Sequence, residues 1–224
     1  MIMTVFISVL VGSLIWLDRV FIFQSMISRP IVLSPVLGLI LGNVHAGFLV
    51  GASLELLWLN APPVGAYLPN DETYCAVVAT PTAVLAGSLI GDLSGVGLAL
   101  VLSLPFSFLG RAVDLHIRTV NQELLSDTME SIEEKIVFVM KKALARSYGY
   151  ALISIGASTA LLCVAVYLIW DALPGFVVSA LSYMPFLSIV IGLAGLISKD
   201  MPGLSHAGVF ILGMTIVLVM TWIL

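Results

Sequence analysis

The stretch from Gly51 to Thr80, GASLELLWLNAPPVGAYLPNDETYCAVVAT, sets Glu55, Asn70, Asp71 and Glu72 into otherwise apolar sequence. An ionised group at bilayer depth costs about 2.5–3.5 kcal/mol on insertion scales, so it faces a cavity, a partner or a substrate. Composition supplies the bilayer. Hydrophobic residues fill 60% of 224 positions, charged residues 10%, and the mean hydropathy is +1.15, a balance foreign to ordinary soluble domains. The expected fold is all-α: a polytopic membrane protein with re-entrant helical hairpins and a C-terminal three-helix membrane bundle, part of it built around something polar.

Upstream of that stretch, Ile31 to Asn60 would be about 45 Å long as one helix, against a hydrocarbon core of about 30 Å. The segment GNVHAG, Gly42 to Gly47, is the natural break, because its glycines, Asn43 and His45 weaken a helix and suit a turn. Two arms of half-membrane depth around a polar turn describe a re-entrant hairpin; a steeply tilted single helix is the alternative. Further upstream, Met1–Leu17 reads as a retained membrane helix rather than a signal peptide, since no basic segment precedes it and no small-residue cleavage motif follows. The segment DRVFIFQSMISRP then alternates polar and apolar residues, which suits the membrane interface, and its Pro30 begins the next element.

Within the opening stretch, Pro62, Pro63, Gly65 and Pro69 cannot continue a helix, so the backbone from Asn60 to Glu72 is expected to be irregular. A new helix should start at Asn70 or Asp71, whose side chains cap free backbone N–H groups, with Glu72 at the positive dipole end. Asp71 therefore serves as a cap alone, as a cap that also contacts a ligand, or as part of an outward, solvated loop. Glu55, flanked by leucines and Trp58, is either a buried carboxylate bonded to backbone or a ligand contact.

Downstream, GSLIGD at Gly87–Asp92 loosely repeats GLILGN at Gly38–Asn43, which would put two hairpin-like turns in related positions. Six of the nine basic residues lie between Arg111 and Arg146, mixed with acids; this segment is expected to be a water-exposed loop or surface helix on the cytoplasmic side. Three apolar stretches of spanning length follow: 147–170, 175–198 and 203–224. The boundaries are thus 1–110 for membrane helices, hairpins and site, 111–146 for the polar segment, and 147–224 for the C-terminal helices. Arg19 and Arg29 put the first turn inside, and small residues such as Gly156, Gly192 and Gly195 offer close helix contacts.

Composition also excludes classes. A net charge of -4 supplies no broad basic face for nucleic acid. Cys75 and Cys163 sit in apolar sequence at no disulfide or metal spacing, and His45, His116 and His206 have no partner at nucleophile or ligand spacing. No cofactor, metal or catalytic residue is expected.

Taken as an ordered set, LDR at Leu17–Arg19, SRP at Ser28–Pro30, GLILGN with HAG, GASLELLWL, VGAYLPND and AVVAT resemble the IIC membrane component of the mannose/fructose/sorbose family of the bacterial phosphoenolpyruvate-dependent sugar phosphotransferase system. The likeness is densest from Leu17 to Thr80. It implies a multi-pass subunit of the bacterial cytoplasmic (inner) membrane, embedded in lipid and oligomeric, which pairs with a IID membrane subunit. Soluble IIA and IIB carriers would relay the phosphoryl group. The subunit would bind a hexose or related sugar and deliver it to phospho-IIB, carrying no phosphorylated residue itself.

By that resemblance Glu55 and Asp71 fall on the family's acidic positions and are the first candidates for sugar contact, with Asn70, Thr80, Asn60 and Gln24 beside them. Carboxylates and amides suit sugars because they share bidentate hydrogen bonds with adjacent hydroxyls. Asn43 stands where the family often has an acid, and Glu72 adds a second acid after Asp71. Two other functions remain open: a transport-inactive membrane anchor or sensor of an incomplete phosphotransferase system, and a cation-coupled secondary transporter using Glu55.

Overall fold

A computed structural model describes residues 2–59, 68–125, 132–200 and 206–223, and among these the secondary structure is entirely helical. Helix α1 (Ile2–Trp16) ends in a short 3-10 turn, Leu17–Arg19. Four helices are long and apolar enough to cross a membrane, or five if the bent pair described below counts as one span.

Helices α2 (Pro30–Leu41) and α3 (Val44–Trp58) form an antiparallel hairpin of 12 and 15 residues. At 1.5 Å per residue these arms are about 18 and 22 Å long, short of a hydrocarbon core of about 30 Å. The break is tighter than GNVHAG suggests. Gly42 alone takes the left-handed conformation, at φ 82°, and Asn43 caps α3 by accepting from the Ala46 N–H at 3.0 Å. The cap lets Val44–Gly47 join the helix as its first turn. The arms touch backbone to backbone, since a Cβ on Gly38 would lie 2.7 Å from the Asn43 carbonyl and one on Gly51 2.5 Å from that of Pro30.

A second hairpin follows. Helix α4 (Glu72–Ile90) is the central element, its face from Thr73 to Ala83 buried throughout, and it turns at Gly91, φ 94°, into α5 (Asp92–Ser103). Here too the arms meet through glycines, Gly95 lying 2.5 Å, as a built Cβ, from the Gly87 Cα. The Asn43 amide donates to Asp92 Oδ1 at 3.2 Å, so the two turns touch through residues 49 apart. GLILGN and GSLIGD thus both close a hairpin on a positive-φ glycine.

After a 46° bend at Leu104–Pro105, α6 (Phe106–Gln122) passes beside the start of α4. Helix α7 (Ile132–Ile169) runs 38 residues, about 57 Å by its rise, more than a bilayer core requires. Its charged first half packs on α6, with Arg146 Nη1 donating to the Val120 carbonyl at 2.9 Å and Asn121 Nδ2 to Ser147 Oγ at 3.0 Å. The expected 175–198 span is present as one crossing length, Gly175–Leu196, with a two-residue turn between α8 (Gly175–Leu181) and α9 (Met184–Asp200), and α10 (His206–Ile223) closes the described chain. Ser53 Oγ donates to the Pro185 carbonyl at 3.3 Å, which ties α9 to the first hairpin.

Candidate functional site

The end of α1, the start of α2, the last turn of α3 and the cap of α4 all meet at one end of the helices. Asp71 is fully buried there and organises the contacts. One carboxylate oxygen caps α4, accepting from the Tyr74 N–H at 2.8 Å. The other accepts from Trp16 Nε1 at 2.7 Å and lies 2.9 Å from Arg19 Nη1. Gly110 of α6 makes this possible, because a Cβ there would sit 2.7 Å from the Asp71 Cβ and 2.6 Å from that of Tyr74. The Asp71 N–H in turn donates to the Ser107 carbonyl at 3.0 Å.

Around this buried anchor lies a ring of looser ion pairs. Arg19 Nη2 reaches Glu72 Oε2 at 3.4 Å, while Arg29 Nη1 spans from Glu55 Oε1, at 3.6 Å, to Glu72 Oε1, at 4.0 Å. Arg29 therefore links the first hairpin to the start of α4. Glu55 Oε2 also lies 3.5 Å from the Ile31 N–H, at the limit of a hydrogen bond. Asp18, 7% exposed, spends its carboxylate on backbone and hydroxyl: Ser25 N–H at 2.9 Å, Ser25 Oγ at 2.7 Å and Ser28 N–H at 3.3 Å.

Between these groups opens a pocket of about 410 Å³ lined by Asp18, Arg19, Gln24, Met26, Ser28, Arg29 and Glu72. Its size falls in the range of about 300–1,000 Å³ typical of small-molecule sites. Four carboxylates (Asp18, Glu55, Asp71, Glu72) surround two guanidinium groups (Arg19, Arg29), so the cluster carries excess negative charge. Both arginines already face carboxylates. The arrangement offers many hydrogen-bonding groups to a neutral polyhydroxyl ligand and poor electrostatics to an anion. Among the described residues no group of three His, Cys, Asp or Glu could hold a metal ion.

The six residues expected from sequence are not all brought together. Gln24 lines the pocket, Glu55 joins it through Arg29, and Asp71 lies beneath it as its buried support. Asn70 is half-buried beside the cap. Thr80 sits about 13 Å further along α4, fully buried, its hydroxyl bonded to the Ala76 carbonyl at 2.8 Å. Asn60 lies outside the described residues. Sequence reasoning missed the direct roles of Trp16, Asp18, Arg19 and Arg29. A signal existed: Glu55, Asp71 and Glu72 need counterions inside apolar sequence, and LDR and SRP carry the nearest arginines.

Against known proteins, the whole length is matched by a family model. The model for the PTS system sorbose-specific IIC component covers residues 2–224. The fructose permease IIC component of Bacillus subtilis (strain 168) is 30% identical over 92 residues, which are 41% of this chain and 32% of that protein. The first curated relatives are matched over only 32% to 44% of their own lengths. Two solved structures share the fold. One, described as a membrane protein, has a TM-score of 0.68 at 18% identity, covering 90% of this chain and 80% of its own. The other, a complex of the mannose transporter ManYZ with microcin E492, has a TM-score of 0.55 at 15% identity, covering 99% and 94%. Hairpins, polar pocket and C-terminal helices all fall inside the family match, which extends the likeness carried by the ordered motifs from LDR to AVVAT: the chain belongs to the sorbose-specific IIC component family of the PTS.

Proposed function

We propose that this chain is the sugar-translocating IIC subunit of a mannose-type phosphotransferase permease. As a family member with several helices long enough to cross a bilayer, it is a multi-pass protein of the bacterial inner membrane. The observation that carries the reading is the pocket at the base of the first hairpin. It combines an amide, a hydroxyl, carboxylates and guanidinium groups in a cluster where acids outnumber cations, which suits neutral sugar hydroxyls. Glu55, Glu72 and Gln24 would contact the sugar, while Asp71 holds the wall that carries them.

Arg19 and Arg29 sit at the pocket end of the helices, and by the positive-inside rule this end faces the cytoplasm. The α2–α3 hairpin then enters and leaves the membrane from that side as a re-entrant element. A pocket open to the cytoplasm is where a soluble phospho-IIB would receive the sugar. A IID subunit is the expected membrane partner, supported by the fold shared with the mannose transporter ManYZ. IIA would recharge IIB.

The test is phosphoenolpyruvate-dependent uptake of labelled mannose, fructose, sorbose and N-acetylgalactosamine in cells expressing the chain with IID, IIA and IIB partners. Sugar phosphate should accumulate with the native chain and fall at least tenfold with Glu55→Gln or Glu72→Gln at equal membrane abundance. Uptake of none of these sugars by an assembled complex would overturn the reading.

A further inference from the structure

We propose that the segment from Val20 to Arg29 is a strap that closes the polar pocket, and that Asp18 is the positioning residue that pins it. The identity of what is enclosed rests on the sugar-site reading above; the strap itself does not.

Three observations converge on this segment. The first is conformational. Phe23, Gln24 and Met26 have φ values of 43°, 53° and 63°, and among the described residues they are the non-glycine residues at positive φ. Such side-chain-bearing left-handed residues persist only where surrounding contacts over-determine them, and they cluster at ligand clamps and switches.

The second is how the strap is held. Asp18 uses both carboxylate oxygens on it, accepting from the Ser25 N–H, the Ser25 hydroxyl and the Ser28 N–H. Other hydrogen bonds of the strap's tip stay inside the segment: Gln24 Nε2 donates to the Val20 carbonyl at 3.2 Å, and the Gln24 N–H donates to the Ile22 carbonyl. The outer side is bare, with Phe23 93% and Met26 69% exposed. One buried carboxylate therefore anchors the tip from one side.

The third is what the strap covers. Gln24, Met26, Ser28 and Arg29 are four of the seven residues that line the pocket, with Asp18, Arg19 and Glu72 completing it. Release of the tip from Asp18 would relax three left-handed residues and free Gln24 and Met26 from the wall, while Arg29 stays at the start of α2. The strap is thus poised between a pinned, closed state and a relaxed, open one, with the balance set at Asp18.

A nitroxide on Phe23→Cys, in full-length protein in membrane vesicles with Cys75 and Cys163 replaced by alanine, reads the strap directly. Asp18→Asn should shorten the label's rotational correlation time at least threefold. Ser25→Ala, which removes one of the three bonds, should give a smaller change in the same direction. Met26→Gly, which relieves one left-handed residue, should leave the label as slow as in the parent or slower. Spectra of Asp18→Asn and Ser25→Ala that superimpose on the parent would overturn the strap; if Asp18→Asn does not accumulate, Ser25→Ala decides alone. In a second arm, labelled sugars bound to the complex should dissociate at least tenfold faster from Asp18→Asn. Failure of the native complex to bind any sugar would count against the sugar site, while the spectra still decide the strap.

Discussion

Replacing Asp71 by asparagine tests the architecture of the site more sharply than any change in the pocket itself. An asparagine can still cap α4 through its Oδ1, accepting from the Tyr74 N–H as the aspartate does at 2.8 Å. Its Nδ2 then occupies the place of Oδ2 and points two donors at two donors, Trp16 Nε1 and Arg19 Nη1, which sit 2.7 and 2.9 Å from that oxygen. A buried hydrogen bond to a charged group contributes about 1.5–3 kcal/mol. Removing one partner of a buried ion pair costs about 3–5 kcal/mol. Arg19 keeps Glu72 at 3.4 Å, which offsets part of the second cost, so the expected loss is about 3 kcal/mol. Trp16→Phe removes the indole donor and leaves a small cavity where the second ring was, and should cost about 3 kcal/mol.

Because both single variants break the same bond, their costs should not add. The double variant Trp16→Phe/Asp71→Asn should fall short of the sum by about 1.5 kcal/mol, a coupling expected for residues in direct contact. Unfolding by a denaturing detergent titrated into mixed micelles, followed by circular dichroism, measures all four corners of the cycle. An Asp71→Asn protein within about 0.5 kcal/mol of the native one, or a strictly additive cycle, would refute the buried anchor.

Gly110→Ala should destabilise by about 2–3 kcal/mol, since its Cβ would stand 2.6 Å from that of Tyr74 in the backbone-tight seam of α4 and α6, whereas Gly149→Ala, with open space around it, should stabilise α7 by up to about 1 kcal/mol in the same unfolding assay. Asn43→Asp keeps the cap but sets a second carboxylate beside Asp92, 3.2 Å from the present amide; at this exposed site the cost should be about 1 kcal/mol at neutral pH. That cost should shrink as pH falls through the carboxylate range, because one protonated acid becomes a donor to the other, and Asn43→Asp/Asp92→Asn should restore native stability at pH 7. In competition binding to the purified complex, a hexose phosphate should displace labelled hexose at least tenfold less effectively than the free hexose, because four carboxylates around two arginines leave the cluster net negative; equal potency would refute the charge assignment.

The sequence made the helices and their breaks legible because those depend on local chemistry. Pro30 at a helix start, Asp71 as a cap and the glycine turns at 42 and 91 are each decided within a few residues, and each was expected from its neighbours. Asp71 and Glu55 were legible as residues needing a reason, since charge in apolar sequence is conspicuous. Their partners were not, because Trp16 bonds Asp71 from 55 positions away and Arg29 meets Glu55 across a whole hairpin. Thr80 shows the converse: a hydroxyl in a buried helix satisfies itself on the carbonyl four residues back, so its polarity alone does not point to a ligand.

The same distinction explains how the two repeated turns relate to the pocket. GLILGN and GSLIGD each bring two helices into glycine-mediated backbone contact, and the Asn43 to Asp92 bond joins their tips. At the far ends of these hairpins the chain does the reverse. It parts the helix ends with long charged side chains, Arg29 reaching toward Glu55 and Glu72 over 3.6 and 4.0 Å. Close packing through small residues resists deformation, whereas exposed, loosely spaced ion pairs contribute little and rearrange cheaply. The joined tips therefore act as the fixed point of the two hairpins, and movement around the pocket belongs at its other end, where Arg29 and the segment pinned by Asp18 sit. A ligand that inserts between Arg29 and its two carboxylates displaces only weak pairs, while the Asp71 anchor beneath it stays whole.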